Sequence, residues 1–137
     1  MPFRSLILGA VLLSASTLTL AREAMAKYGE YYLGPKTMTV ELAKLASGTQ
    51  ALIKVYGVDH AWDGKVLRVD VRSGRDDRSE YYLKVDGKDY VMMLVGQYQA
   101  QIYLPGLGES YLQFKREESL SVQPEHLMTE YEQYAGK

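Results

Sequence analysis

Two residues, Asp86-Gly87, constrain this chain more than any others. They separate Glu80-Tyr-Tyr-Leu-Lys-Val85 from Lys88-Asp-Tyr-Val-Met-Met-Leu-Val95, two runs rich in β-branched and aromatic residues. Asp and Gly both tolerate the positive φ angles that a two-residue type I′ turn demands. Pairing outward from that turn sets Val85 against Lys88, Lys84 against Asp89, Leu83 against Tyr90 and Tyr81 against Met92. One face of the hairpin is then apolar and aromatic, and the other carries an opposite-charge pair. Both combinations favour pairing.

Further strands follow from the same logic. Val66-Leu-Arg-Val-Asp-Val-Arg72 alternates cleanly, with Leu67, Val69 and Val71 on one face and Arg68, Asp70 and Arg72 on the other. Ala51–Tyr56 precedes it, and Asp63-Gly64-Lys65 repeats the turn signal of the first hairpin. An ideal register there would set Asp59 against Arg68. Tyr98–Leu104 and Ser110–Lys115 read as two more strands. Tyr90–Val95 is apolar on both faces, which predicts a central strand with a helix over one side.

Helices are expected at both ends of this sheet. Thr39 suits an N-cap, and Leu42, Leu45 and Ala46 form one stripe, predicting a short helix over 40–47. Gln123-Pro124-Glu125 opens a C-terminal amphipathic helix with Leu127, Tyr131 and Tyr134 along one face. Residues 22–36, broken by Gly29 and Gly34-Pro35, read as a lead-in. The expected class is mostly β (α+β), a six-stranded antiparallel meander forming a small barrel or a twisted sheet.

The first residues have a different character. Arg4, an apolar run from Leu6 to Leu20, and small residues at Ala21 and Ala26 form the pattern of a secretory signal peptide. The run is short for a membrane span and diluted by Ser and Thr. The expected organisation is therefore a signal over 1–21 (or to 26) and one exported β-rich domain over 22–137, periplasmic or secreted. No stable membrane span would remain after cleavage. Cleavage after Ala21 takes Arg4 alone from the 16 basic residues, leaving 15 against 17 acidic and a net charge of −2. That balance argues against nucleic acid as a partner. The chain has no cysteine, so thiol catalysis, zinc–thiolate sites and a lipid-anchored cysteine are ruled out.

Chemistry is sparse. His60 lies in Asp59-His-Ala-Trp-Asp63, whose imidazole and carboxylates are ordinary metal ligands, but three ligands bunched on one turn rarely converge unaided. Ala61 occupies a ligand position of the corresponding calcium loop, so an EF-hand is rejected. His126 opens the C-terminal helix beside Glu125, without an evident nucleophile. No nucleophile elbow, P-loop or dinucleotide fingerprint is present. No cofactor is called for.

The 12 tyrosines say more. Tyr81, Tyr90 and Tyr98 read as fillers of strand faces, whereas Tyr56, Tyr82, Tyr103 and Tyr111 are candidates for the surface. Ser73-Gly74 invites comparison with the periplasmic lysozyme inhibitors, small exported β domains whose loop carries Ser-Gly followed closely by Tyr. The next tyrosine here is Tyr81, so the likeness stops at a dipeptide and a general architecture.

The expectation is a small exported non-enzymatic binding protein of the bacterial cell envelope, inhibitor- or immunity-like, that occludes a protein partner. The alternatives are an envelope scaffold or stress protein and a carboxylate-based hydrolase. Loops carry function more often than the strands beneath them, and Trp and Arg dominate binding hot spots. Trp62, His60 and Arg75 are accordingly the expected binding residues, with Trp62 as anchor.

Overall fold

The structure is a computed structural model that describes residues 22–135. The segment expected as a signal, up to Ala21, therefore lies outside the described residues.

Eight antiparallel strands run up and down in sequence order and close into a barrel. They are β1 (Met25–Leu33), β2 (Thr39–Leu45), β3 (Gln50–Tyr56), β4 (Val66–Ser73), β5 (Ser79–Val85), β6 (Lys88–Val95), β7 (Ala100–Leu104) and β8 (Gly108–Phe114). Two helices follow, α1 (Arg116–Ser119) and α2 (Pro124–Tyr134). The mostly β architecture is as expected, with eight strands in place of six.

Both extra strands come from the N-terminal third. The stretch expected as a helix over 40–47 is strand through Leu45 and turn beyond it, because both faces of β2 are covered. Val40 and Leu42 enter the barrel, while Ala43 and Leu45 pack beneath the C-terminal helix. A doubly buried strand loses its two-residue alternation, and its apolar positions then mimic a helical stripe. The expected lead-in is β1. Gly29 does not break it: a Cβ there would collide with Val122, so the glycine lets the α1–α2 connection lie against the strand.

The central hairpin keeps its expected register near the turn. Val85, Lys84 and Leu83 face Lys88, Asp89 and Tyr90, and Asp86 and Gly87 have φ of 51° and 77°. The expected register runs on through Tyr82 and Val91. Beyond them the pairing moves by one: Tyr81 faces Met93 instead of Met92, which leaves Met92 as the extra residue of a β-bulge. Met92 and Met93 are consequently both buried. That bulge, rather than an overlying helix, explains why Tyr90–Val95 is so apolar; the helices pack over β1–β4. The β3–β4 register also differs from expectation. Leu52, not Asp59, faces Arg68, and the ladder ends at Lys54 and Val66, so the connection is a long loop.

Side chains fill the barrel. Tyr32, Leu42, Ile53, Tyr81, Met92 and Ile102 belong to one continuous cluster, as the narrow bore of an eight-stranded barrel requires. A second cluster lies outside the wall, where Leu127 and Met128 of α2 meet Ala43, Leu45 and Leu52. Pro124 starts α2 as expected. Leu127 is buried and Tyr131 half-buried, while Tyr134 is exposed. The short α1 was not expected. Its Ser119 Oγ accepts from the Tyr31 amide at 2.8 Å and donates to the Lys115 carbonyl at 2.7 Å, pinning the end of β8 to β1.

Up-and-down topology sorts the turns into two sets. The β1–β2, β3–β4, β5–β6 and β7–β8 turns share one end of the barrel. The β2–β3, β4–β5 and β6–β7 turns share the other.

Candidate functional site

His60 and Trp62 sit together at the first end. The Trp62 amide donates to His60 Nδ1 at 3.0 Å, and His60 Nε2 lies 2.8 Å from the Pro105 carbonyl in the β7–β8 turn. Because Nδ1 accepts, the network assigns the ring hydrogen to Nε2, which donates to Pro105. The imidazole is thus a tie between two turns rather than a free base. Trp62 stands edge-on to Tyr90, with ring centroids 6.1 Å apart and planes at 83°. The indole is half-buried against the barrel core. The Tyr90 hydroxyl in turn donates to the Tyr103 carbonyl at 2.7 Å. Asp63 accepts from the Val58 amide at 3.1 Å through Oδ1, so this carboxylate braces its own loop. Together these contacts close the barrel end.

Arg75 is at the opposite end, in the 3-10 turn Arg75–Asp77 between β4 and β5. The fold brings His60 and Trp62 together and separates both from Arg75 by the length of β4. The turn is closed by the Gly74 amide on the Arg78 carbonyl at 2.7 Å. Asp76 and Asp77 both take left-handed backbone, φ 56° and 57°, a conformation Asp tolerates better than most residues.

Beside this turn the barrel wall is thin. β1 and β8 pair only at Tyr32–Phe114 and Leu33–Gln113. Below that seam lies a cleft of about 230 Å³, lined by Glu30, Tyr32, Phe114, Leu112 and the β6–β7 turn. A second opening of about 480 Å³ adjoins it, between that turn and Asp76 and Arg78. Tyr98, at the tip of the shared turn, is 88% exposed, and Phe114 is 50% exposed. Within the cleft the Tyr32 hydroxyl donates to Glu30 Oε2 at 3.0 Å. Tyr32 packs on Phe114 with ring centroids 5.5 Å apart. Burial, and then the charge of Glu30, pushes the Tyr32 phenol far above its ordinary range. The same two causes raise Tyr81 deeper in the barrel.

Two other polar groupings are structural in character. On the outer wall Arg72 pairs with Glu80 at 2.8 Å and lies over the Tyr82 ring at 4.2 Å, and Lys84 pairs with Asp89 at 2.7 Å. Beneath α2, Lys54 pairs with Glu130 at 2.9 Å. Burial raises Glu41 beside them, against the lowering effect of Lys54. Among the described residues no group of three His, Asp or Glu side chains is arranged to hold a metal ion. Nor is any helix among them long and apolar enough to cross a membrane.

Sequence reasoning missed Glu30, Tyr98 and Phe114. Tyr98, expected to fill a strand face, falls two residues before β7 and turns to solvent; Gly96-Gln97 was the available signal. Of the candidate surface tyrosines, Tyr111 is exposed, whereas Tyr56, Tyr82 and Tyr103 are half-buried. Comparison with known proteins adds no identity: no family model matches the chain, and neither curated proteins nor solved structures yield a match.

Proposed function

We propose that this chain is a small exported binding protein of the bacterial envelope that meets a protein partner with the Tyr98 end of its barrel. The observation that carries the reading is the pair of exposed rings, Tyr98 and Phe114, flanking a cleft on a rigid frame. Rigid aromatic side chains supply contact area at low entropic cost and are enriched in hot spots. A barrel bore filled with side chains favours recognition at the surface over carriage of a ligand inside. Arg75 belongs to the same end and would join the contact. His60 and Trp62 would act indirectly, by holding the far end shut.

The cleft contains a single carboxylate, Glu30. Glycoside hydrolysis by the usual route takes a pair, so occlusion of a partner is the better reading than hydrolysis. The test is capture of partners from periplasmic extract by the tagged mature protein and by its Tyr98→Ser and Phe114→Ser variants. The reading expects one soluble partner to be retained by the parent and lost from both variants at unchanged melting temperature. Capture that survives both substitutions would overturn it.

A further inference from the structure

The cleft at the β1–β8 seam has a charge its own surroundings leave unanswered. The half-buried carboxylates Glu80 and Glu130 each hold a cation within 3 Å: Arg72 at 2.8 Å and Lys54 at 2.9 Å. Glu30 is also half-buried, yet among the described residues it has no ion-pair partner within 4.0 Å and only the Tyr32 hydroxyl as a donor. Taking a carboxylate out of water is costly unless it is paired. One phenol satisfies part of its accepting capacity. The remainder is available to a group entering the cleft.

The shape of the opening narrows what that group is. At about 230 Å³ the cleft is smaller than the ~300–1,000 Å³ usual for sites that enclose a whole small molecule. It suits one side chain. The rings of Tyr98, Phe114 and Tyr32 line it, and their faces attract cations. Gln97 and Gln99, both exposed, also line it. A carboxylate floor with aromatic walls discriminates against anions and favours a planar, weakly hydrated cation over a compact ammonium.

We infer that this cleft receives an arginine side chain projecting from the protein partner, its guanidinium on Glu30 and its plane against Tyr98 or Phe114. The inference rests on the proposed binding role of this end and names the chemistry of what enters there. Arg78, across the β6–β7 turn, lines the adjoining opening and leaves the Glu30 cleft to the partner.

The probe is Nα-acetylarginine amide, titrated into the isotopically labelled mature protein, with amide signals of Gly96 to Ala100 and methyl signals of Leu112 as reporters. Nα-acetylcitrulline amide, which keeps the shape and removes the charge, is the control. The expected result is saturable millimolar binding of the arginine compound, weaker by about tenfold or more for citrulline, as loss of a charge-assisted contact predicts. Glu30→Gln should lower arginine affinity to a similar extent. If that variant does not fold, the arginine–citrulline difference in the parent protein decides alone. Equal binding of the two compounds, no binding of either, or full affinity in folded Glu30→Gln would overturn the inference. Partner capture separates this from the broader reading. Arginine binding with Tyr98-independent capture upholds the cleft and removes the binding end. Tyr98-dependent capture without arginine binding removes the cleft alone.

Discussion

The two ends of this barrel are built from the same kinds of parts and finished in opposite ways. At one end an aromatic ring is drawn inward: Trp62 leans on Tyr90, and His60 ties its loop to Pro105. At the other end Tyr98 is turned outward and Phe114 only half covered, while the wall between β1 and β8 is held by two residue pairs. The difference teaches that an aromatic in a loop carries no meaning by residue type alone. What decides is whether the surrounding loops offer it hydrogen-bonded ties and a core to cover. The β3–β4 loop is long enough to fold its indole back over the bore. The β6–β7 turn, closed by the Gly96 amide on the Gln99 carbonyl at 2.7 Å, is too short to do the same.

The largest expected effect strikes the closed end. Trp62→Ala removes a half-buried indole and should cost about 2–3 kcal/mol, below the full range for a buried aromatic, or ~10 °C in melting temperature. Thermal and urea unfolding would measure it. An unchanged midpoint would break the comparison, because the ring would then be as dispensable to the fold as Tyr98.

An alkaline titration probes the interior beneath the open end. The folded-state phenols of Tyr32 and Tyr81 are raised, first by burial and then by Glu30. With the folded value above the unfolded one, the stabilising contribution is fully present below the unfolded range, near pH 10. It is lost as pH rises toward the folded values. Absorbance at 295 nm should therefore show these phenols ionising together with unfolding, not before it. Glu30→Gln should bring Tyr32 ionisation to lower pH; no movement would remove Glu30 from the cleft's electrostatics.

A small effect is expected on the outer wall, which belongs to neither end. Asp89 is held below the usual carboxylate range by its hydrogen bond from Lys84. The coupling is thus present above the unfolded Asp value and lost as pH falls through the folded one. A double-mutant cycle with Lys84→Asp and Asp89→Lys should show weak coupling at pH 7, with the double exchange recovering most of the loss. Both side chains are exposed, so solvent screening keeps the effect minor. Coupling unaffected by acid would mean that the pair is not its source.

How far the sequence alone reached follows from where alternation survives. The inner half of the β5–β6 hairpin keeps its alternation, and its register could be read directly from the turn; β4 showed its alternation too, but its pairing with β3 is set beyond a long loop and could not be read. β2 could not, because α2 covers its outer face and erases the period. β1 could not, because Gly29 looks like a breaker until Val122 is seen against it. The candidate site suffered the same limits. Trp62 and Arg75 drew attention by residue type, yet the single strand β4 between their loops places them at opposite ends of the barrel. Glu30 lay in a stretch read as a lead-in, with no local pattern to mark it.

The central claim is that contact is made at the Tyr98 end and not at the Trp62 end. Photo-crosslinking in the intact envelope tests it most directly, with p-benzoylphenylalanine in place of either Tyr98 or Leu107. Leu107 is exposed in the β7–β8 turn, at the closed end, and so offers a matched position. The account predicts a discrete protein adduct from position 98 and none from position 107. An adduct from 107 with none from 98 would contradict it.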